Sequence, residues 1–171
     1  ICHYYRFTTG DIEVGFQESD YIFEDTFTTQ MQQHCSLEPH AAICLVASNG
    51  EITLWCNNDS PYRARRELAE ALRLPFNKVR VIVPPYIGGN FGGKGGLKSE
   101  AIAVALALKV KGQPVKVVYS REEEFTASLV RHPAIITLKT GVKKDGLIVA
   151  RQSTVVLDTG AYAEKGPSVC T

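Results

Sequence analysis

Between Gly88 and Gly96, in PPYIGGNFGGKGGLKSE (residues 84–100), six of nine positions are glycine, in a chain of 171 residues with only 14 glycines. Glycine costs roughly 0.5–1 kcal/mol relative to alanine wherever the chain is ordered. A run this dense is therefore either a slack surface loop or a place where something comes close to the backbone itself. The flanks narrow the choice. Residues 79–83, Val-Arg-Val-Ile-Val, read as a strand running into Pro84-Pro85. Beyond the run, Ala101, Val104, Ala105 and Leu108 repeat at i, i+3, i+4 and i+7, an amphipathic helix ending near Gly112. A strand, glycine loop and helix in that order aim backbone N–H groups and the positive end of a helix dipole at one spot, which suits a phosphate or another electron-rich group. Phe91 speaks against slack, because a large ring amid glycines packs against protein or against the body of a ligand.

The rest of the chain mixes strands and helices. Residues 21–29 alternate aromatic or β-branched residues with acids and threonines, as a strand does. Residues 42–47 read as a buried strand that turns at Asn49-Gly50 into residues 52–56, and Asp145-Gly146 joins the alternating segments 135–142 and 147–157 in the same way. Ser60-Pro61 opens a helix, with serine as cap and proline in the first turn, and Ala64, Leu68 and Leu72 line one face. Residues 115–119 are a further strand. Strict strand–helix alternation is absent, so the expected class is α+β, a mixed β-sheet with two amphipathic helices.

Bulk properties exclude several functions. A net charge of +1 provides no field that would recruit nucleic acid. No apolar run reaches the length of about 18 residues that a membrane span requires. Cys2, Cys35, Cys44, Cys56 and Cys170 form an odd set without a C-x-x-C pair, which fits neither a disulfide framework nor a structural zinc site. Reduced thiols in a cytoplasmic protein are the expectation. The chain opens on Ile1 and stops abruptly at Thr171, so a piece of a longer protein is expected.

Two motif readings of the glycine run can be weighed directly. A P-loop reads G-x-x-x-x-G-K followed by Ser or Thr; Gly88, Gly93 and Lys94 comply, but Gly95 stands where the magnesium-binding hydroxyl belongs. The dinucleotide fingerprint G-x-G-x-x-G fails in every register. A nucleotide-binding module is thus a poorly fitting alternative.

The ordered set of motifs resembles a known family. Val81-Ile82-Val83-Pro84 followed by Gly88-Gly89-Asn90-Phe91-Gly92-Gly93-Lys94 resembles the G-G-G-F-G-G-K segment of the molybdenum hydroxylases, the xanthine dehydrogenase and aldehyde oxidase family. In the same order, Gly15-Phe16 with Ser19-Asp20 resembles the family's first strand, and Gln33-His34-Cys35-Ser36-Leu37-Glu38-Pro39 its Q-H-x-x-M-E-P signature. The stretch from Trp55 through Pro61 to Arg66-Glu67-Leu68-Ala69 resembles the turn and helix that follow. Arg131-His132-Pro133, Gly141 with Lys144-Asp145-Gly146, and Asp158-Thr159-Gly160-Ala161-Tyr162 resemble the later strands.

The resemblance implies a single molybdopterin-binding domain over residues 1–171, cut from the large subunit of an enzyme that hydroxylates an aldehyde, an N-heterocycle or a related carbon with oxygen from water. It implies that Gly89, Asn90, Phe91, Gly92, Gly93 and Lys94 line a molybdenum–molybdopterin cofactor, in its plain or cytosine dinucleotide form. The pterin's sulfurs hold the metal, so no protein ligand to it is expected. It further implies [2Fe-2S] clusters and FAD on partner domains or subunits, together with the remaining large-subunit domains. The family's catalytic glutamate lies beyond residue 171, so the chain alone is expected to be inactive. Arg131 matches a substrate-orienting arginine. Two departures stand out. The resemblance also places Asp59 at the cofactor, where the family carries a glutamine that bonds a molybdenum oxygen, so an acceptor replaces a donor. Gly95 falls where purine-oxidising members carry an acid. A non-enzymatic assembly domain that has lost its cofactor is the alternative these departures favour.

Other clusters have plainer readings. His34, Cys35, Glu38 and His40 lack the spacing of a zinc finger or of H-E-x-x-H and read as a packed corner. Arg121-Glu122-Glu123-Glu124 reads as a solvated helix start, Arg63, Arg65 and Arg66 as a salt-bridged helix face, and Asp158 as a turn residue.

Overall fold

A computed structural model describes residues 3–160 and Gly166. In chain order its elements are α1 (Ile12–Gln17), β1 (Tyr21–Thr29), β2 (Gln32–Gln33), β3 (Ala41–Val46), β4 (Ile52–Cys56), α2 (Pro61–Leu72), a 3-10 turn (Phe76–Lys78), β5 (Val79–Ile82), α3 (Ser99–Ala107), β6 (Val115–Val118), α4 (Arg121–Ala127), β7 (Val130–Arg131), β8 (Ala134–Val142) and β9 (Ile148–Leu157). They form two compact units, one of residues 33–130 and one of the flanking segments 1–32 and 131–171. The mixed strands and helices agree with the α+β class expected from the sequence. The Ala161-Tyr162 end of the last family motif lies outside the described residues, as do Cys2 and Cys170.

The central unit is built on a four-stranded sheet of order β5-β4-β3-β6, in which β4 and β5 are parallel and the other pairs antiparallel. Gly50, at φ 78°, closes the β3–β4 hairpin and so sets its register: Ala42 opposite Cys56, Cys44 opposite Leu54, Val46 opposite Ile52. All six side chains, with Val79 of β5, lie on one face and are buried. Leu68 and Ala69 of α2 and Ala103, Val104 and Ala107 of α3 complete this core. Fully burying a Leu, Ile or Val contributes about 1.5–3 kcal/mol, so this layer carries much of the unit's stability.

The second unit is an antiparallel sheet of order β1-β8-β9, with Gly146 (φ 91°) at the β8–β9 turn. Here Gly15-Phe16, expected in a strand, lies in helix α1. Asp11 caps that helix by accepting the Glu13 and Val14 N–H groups at 3.0 and 3.2 Å. Gly15 lets α1 settle on β9, since a Cβ there would stand 2.9 Å from the Val149 carbonyl oxygen.

Three further expectations need correction. The buried residues of α3 are Ser99, Glu100, Ala103, Val104 and Ala107; of the expected stripe Val104 is buried and Leu108 packs partly against the core, while Ala101 and Ala105 face outward. That helix is apolar nearly all round, so periodicity cannot say which stripe faces the sheet. Ser60 occupies the cap position of α2, but its hydroxyl donates to Asp59 at 2.8 Å instead of capping. Glu124, expected in solvent, is 3% exposed.

Candidate functional site

Four connections meet at one edge of the mixed sheet. Parallel β4 and β5 both deliver their C-termini there, antiparallel β3 begins there, and β6 ends there. Residues 36–40, 57–60, 84–98 and 119–124 follow or precede those strand ends. Open sheets bind ligands beyond the carboxyl ends of parallel strands, and the glycine run occupies that position.

The run is an ordered loop whose main chain is braced from several sides. Gly88 donates its N–H to a Glu38 carboxylate oxygen at 2.8 Å and accepts the Glu38 N–H at 3.1 Å. The same oxygen receives the Lys94 ammonium at 2.6 Å. Asn90 accepts the Lys94 N–H on its side-chain oxygen at 2.9 Å, and its carbonyl accepts the Gly93 N–H at 2.8 Å. The Lys94 carbonyl accepts the Asp59 N–H at 3.0 Å, and Asn58 donates to Gly96 O at 2.7 Å and to Glu100 at 2.8 Å. Gly93, Lys94, Gly95 and Gly96 are buried as a result. The slack-loop reading does not survive this geometry.

Asp59, which departs from the family's pattern, is joined to Asn90 of the glycine run. The Asn90 amide donates to the Asp59 carboxylate at 2.5 Å, and Ser60 donates to its other oxygen. The acceptor at residue 59 thus meets a donor supplied by this chain. Lys94 answers the P-loop question. Its side chain is 1% exposed and its charge is met by Glu38, so it is not presented to a phosphate, and α3 begins only at Ser99.

Glu38 is held below the ordinary carboxylate range. Partial burial pushes it up, but the Lys94 ammonium, the Gly88 N–H and Asn57 outweigh that effect. Glu38 and His40, read from sequence as a packed corner, are therefore the braces of the loop. Among the described residues no group of three His, Cys, Asp or Glu side chains is placed to hold a metal ion.

The outer side of the loop has a different character. Phe91 sits at φ 52° and is 63% exposed. Gly92 has φ 89°, a backbone conformation that favours glycine, and a Cβ added there would stand in ordinary contact with His34 Nε2 at 3.7 Å. Gly93 by contrast packs on His34, where a Cβ would stand 3.0 Å from the ring.

Arg131 ends β7 and belongs to the flanking unit. Arg63 and Arg66 pair with Glu67 and Glu70 along α2, and Arg65 lies 3.8 Å above the centre of the Phe76 ring, as befits a structural face. Asp158 accepts the Gly160 N–H at 3.1 Å, a turn.

Sequence reasoning missed Asn58, Glu100 and Glu124. A readable signal existed for the last, because Ser120 and Glu123 form a capping box that fixes where α4 begins. Nothing in the pattern tells that the next residue points inward.

Residues 1–171 match the model of a family described as the molybdopterin cofactor-binding domain. The chain is 40% identical over 162 residues to the nicotinate dehydrogenase large molybdopterin subunit of Eubacterium barkeri, covering 95% of this chain and 38% of the relative. It is 34% identical over 164 residues to the xanthine dehydrogenase molybdenum-binding subunit of Escherichia coli, covering 96% and 22%. Among solved structures it resembles the aldehyde oxidoreductase of Desulfovibrio gigas, with a TM-score of 0.82 and 26% identity over 94% of this chain and 17% of that one. The chain thus spans well under half the length of these relatives.

Proposed function

This chain belongs to the molybdopterin cofactor-binding domain family, and on that premise we propose that its glycine loop holds the cofactor of a molybdenum hydroxylase large subunit. The parent protein hydroxylates an aldehyde, an N-heterocycle or a related carbon with oxygen from water. The observation that carries the reading is the asymmetry of the loop. Its inner side is locked by Glu38, His40, Asn58 and Asn90, while its outer side carries the exposed Phe91 beside Gly92, which holds a φ of 89°.

That outer side fits a pterin. A flat heterocycle can approach a backbone only where no Cβ intervenes, and Gly92, at φ 89°, carries none. When bound, the group supplies the redox-active metal and its own sulfur ligands. The chain's residues bind and orient it: Gly89, Asn90, Phe91 and Gly92 face it, the buried Gly93 and Lys94 support that cradle from within, and Asp59 fixes Asn90. A rigid loop whose amides need not reorganise during reaction is what electrostatic catalysis requires. Arg131 serves as the substrate-orienting cation.

We read residues 1–171 as one cofactor-binding domain of a longer cytoplasmic subunit, with the cofactor in its plain or cytosine dinucleotide form and with [2Fe-2S] and FAD carried by partners. Among the described residues, no helix is long and apolar enough to cross a membrane. The test is elemental molybdenum and pterin fluorescence on the full-length protein purified from its native host. Roughly one metal and one pterin per chain support the proposal. Their absence from folded protein that carries its iron–sulfur partner would support a domain that has lost its cofactor.

A further inference from the structure

Beneath the loop lies a buried couple that the proposed function does not use. His40 and Glu124 are each 3% exposed, 84 residues apart in sequence, and in contact. The ring Nδ1 lies 2.8 and 3.0 Å from the two carboxylate oxygens, and the His40 main-chain N–H donates to the same carboxylate. On its other side, the ring Nε2 lies 3.1 Å from the Gly93 carbonyl. A carbonyl oxygen only accepts, so the contact with Gly93 is a hydrogen bond when Nε2 carries the proton, with Nδ1 turned to the Glu124 carboxylate. The Tyr119 ring also faces it, with ring centroids 5.7 Å apart.

From this geometry we infer that Glu124 is a positioning residue of the glycine loop, acting through His40 on the main chain at Gly93; the inference rests on the cofactor reading above. The Gly93 peptide is pinned at both ends, its N–H to the Asn90 carbonyl at 2.8 Å and its C=O to His40. Pinning draws the carbonyl inward, away from the outer side of the loop, where its negative end would repel an electron-rich ligand. The carboxylate has little freedom of its own. The α4 helix that carries it is capped at Ser120, and the Glu124 carbonyl accepts from Gln33 at 3.3 Å and from Ser128 at 2.6 Å. A buried acid and imidazole in contact are costly to desolvate, and a packed apolar pair would stabilise the fold equally well. What an apolar pair cannot do is hold a carbonyl at a set angle. The arrangement has the same form as the carboxylate–histidine pairs that orient ligands in metal sites, where loss of the outer partner typically weakens binding tenfold or more.

The test uses the full-length protein carrying this chain, loaded with cofactor in its native host, and reads the rate of pterin loss by fluorescence after gel filtration. E124A and H40F should each speed that loss about tenfold. The E124A/H40F double variant should be no faster than either single variant, because both act through one contact. E124Q, which can still accept from the His40 N–H and donate to Nδ1, should stay near wild type. Unchanged loss in E124A, or effects in the double variant that multiply to about a hundredfold, would overturn the inference. Should E124A or H40F fail to fold, histidine-selective 15N NMR of the wild-type protein decides. A hydrogen-bonded proton on Nε2 of His40 supports the inference, and an unprotonated Nε2 overturns it. Wild-type protein without pterin would count against the cofactor reading instead, and the NMR measurement would still judge the His40–Gly93 contact.

Discussion

One carboxylate oxygen of Glu38 holds both the Lys94 ammonium, at 2.6 Å, and the Gly88 N–H, at 2.8 Å, and so ties the two ends of the glycine run together. The lysine that makes the run look like a nucleotide loop is its internal clamp. Lys94 is 1% exposed at the side chain while Glu38 is 38% exposed, so water screens one partner and not the other.

Replacing that lysine should therefore cost stability without being ruinous. Lys94→Met removes a charged hydrogen bond, but Glu38 can turn toward solvent, so the loss should be about 1–3 kcal/mol, as for other hydrogen bonds to charged groups. Urea unfolding of the variant beside the wild type measures it. An unchanged midpoint would show that the clamp contributes nothing to the fold.

The same pair gives a pH dependence of definite sign. The folded-state pKa of Glu38 is depressed, so its contribution to stability is complete above the ordinary glutamate value of about 4.3 and disappears as pH falls through the lower folded value. Melting temperature should fall more steeply on acidification in the wild type than in Lys94→Met. Parallel curves would contradict the linkage.

Gly88 is required for steric reasons alone. A Cβ at that position would stand 2.5 Å from the Glu38 Cβ. Gly88→Ala must then displace Glu38 or the loop, at a cost of about 1–3 kcal/mol. Cofactor content should drop in step with the loss of stability. A variant as stable and as loaded as wild type would mean that the contact relaxes freely.

The cysteines should divide by burial. Desolvation pushes the Cys44 thiol up to about 11, and burial together with the nearby Glu100 charge pushes Cys56 to about 12. At pH 8.5 an ordinary thiol is about half ionised, so Cys44 carries on the order of a hundredfold less thiolate and Cys56 on the order of a thousandfold less. Iodoacetamide with mass-spectrometric readout on folded protein should label the exposed Cys35 and spare Cys44 and Cys56. Fast labelling of Cys44 would mean that the core opens.

The 171-residue chain on its own should oxidise no aldehyde with a dye acceptor, because it spans only 38% and 22% of the large subunits it resembles and the activity is proposed for a whole subunit. Turnover by the purified chain would place the whole reaction within residues 1–171.

Much of this protein was legible before any coordinates. The Asn49-Gly50 and Asp145-Gly146 turns, the alternating segments they join and the glycine run between a strand and a helix are local chemistry, and local chemistry is written residue by residue. Alternation says which residues share a face, and glycine at positive φ says where a chain must turn; neither depends on distant partners. What could not be read was any choice made between segments far apart in the chain. The α3 stripe that packs inward, Glu124 turning from solvent to His40, Lys94 finding Glu38 and Asp59 finding Asn90 were each decided only by tertiary structure. The physical reason is common to all of them. A buried charge or an all-apolar helix has no preferred direction of its own, and it takes one only when the sheet brings Glu38, Asp59, Lys94 and Glu124 to the same edge.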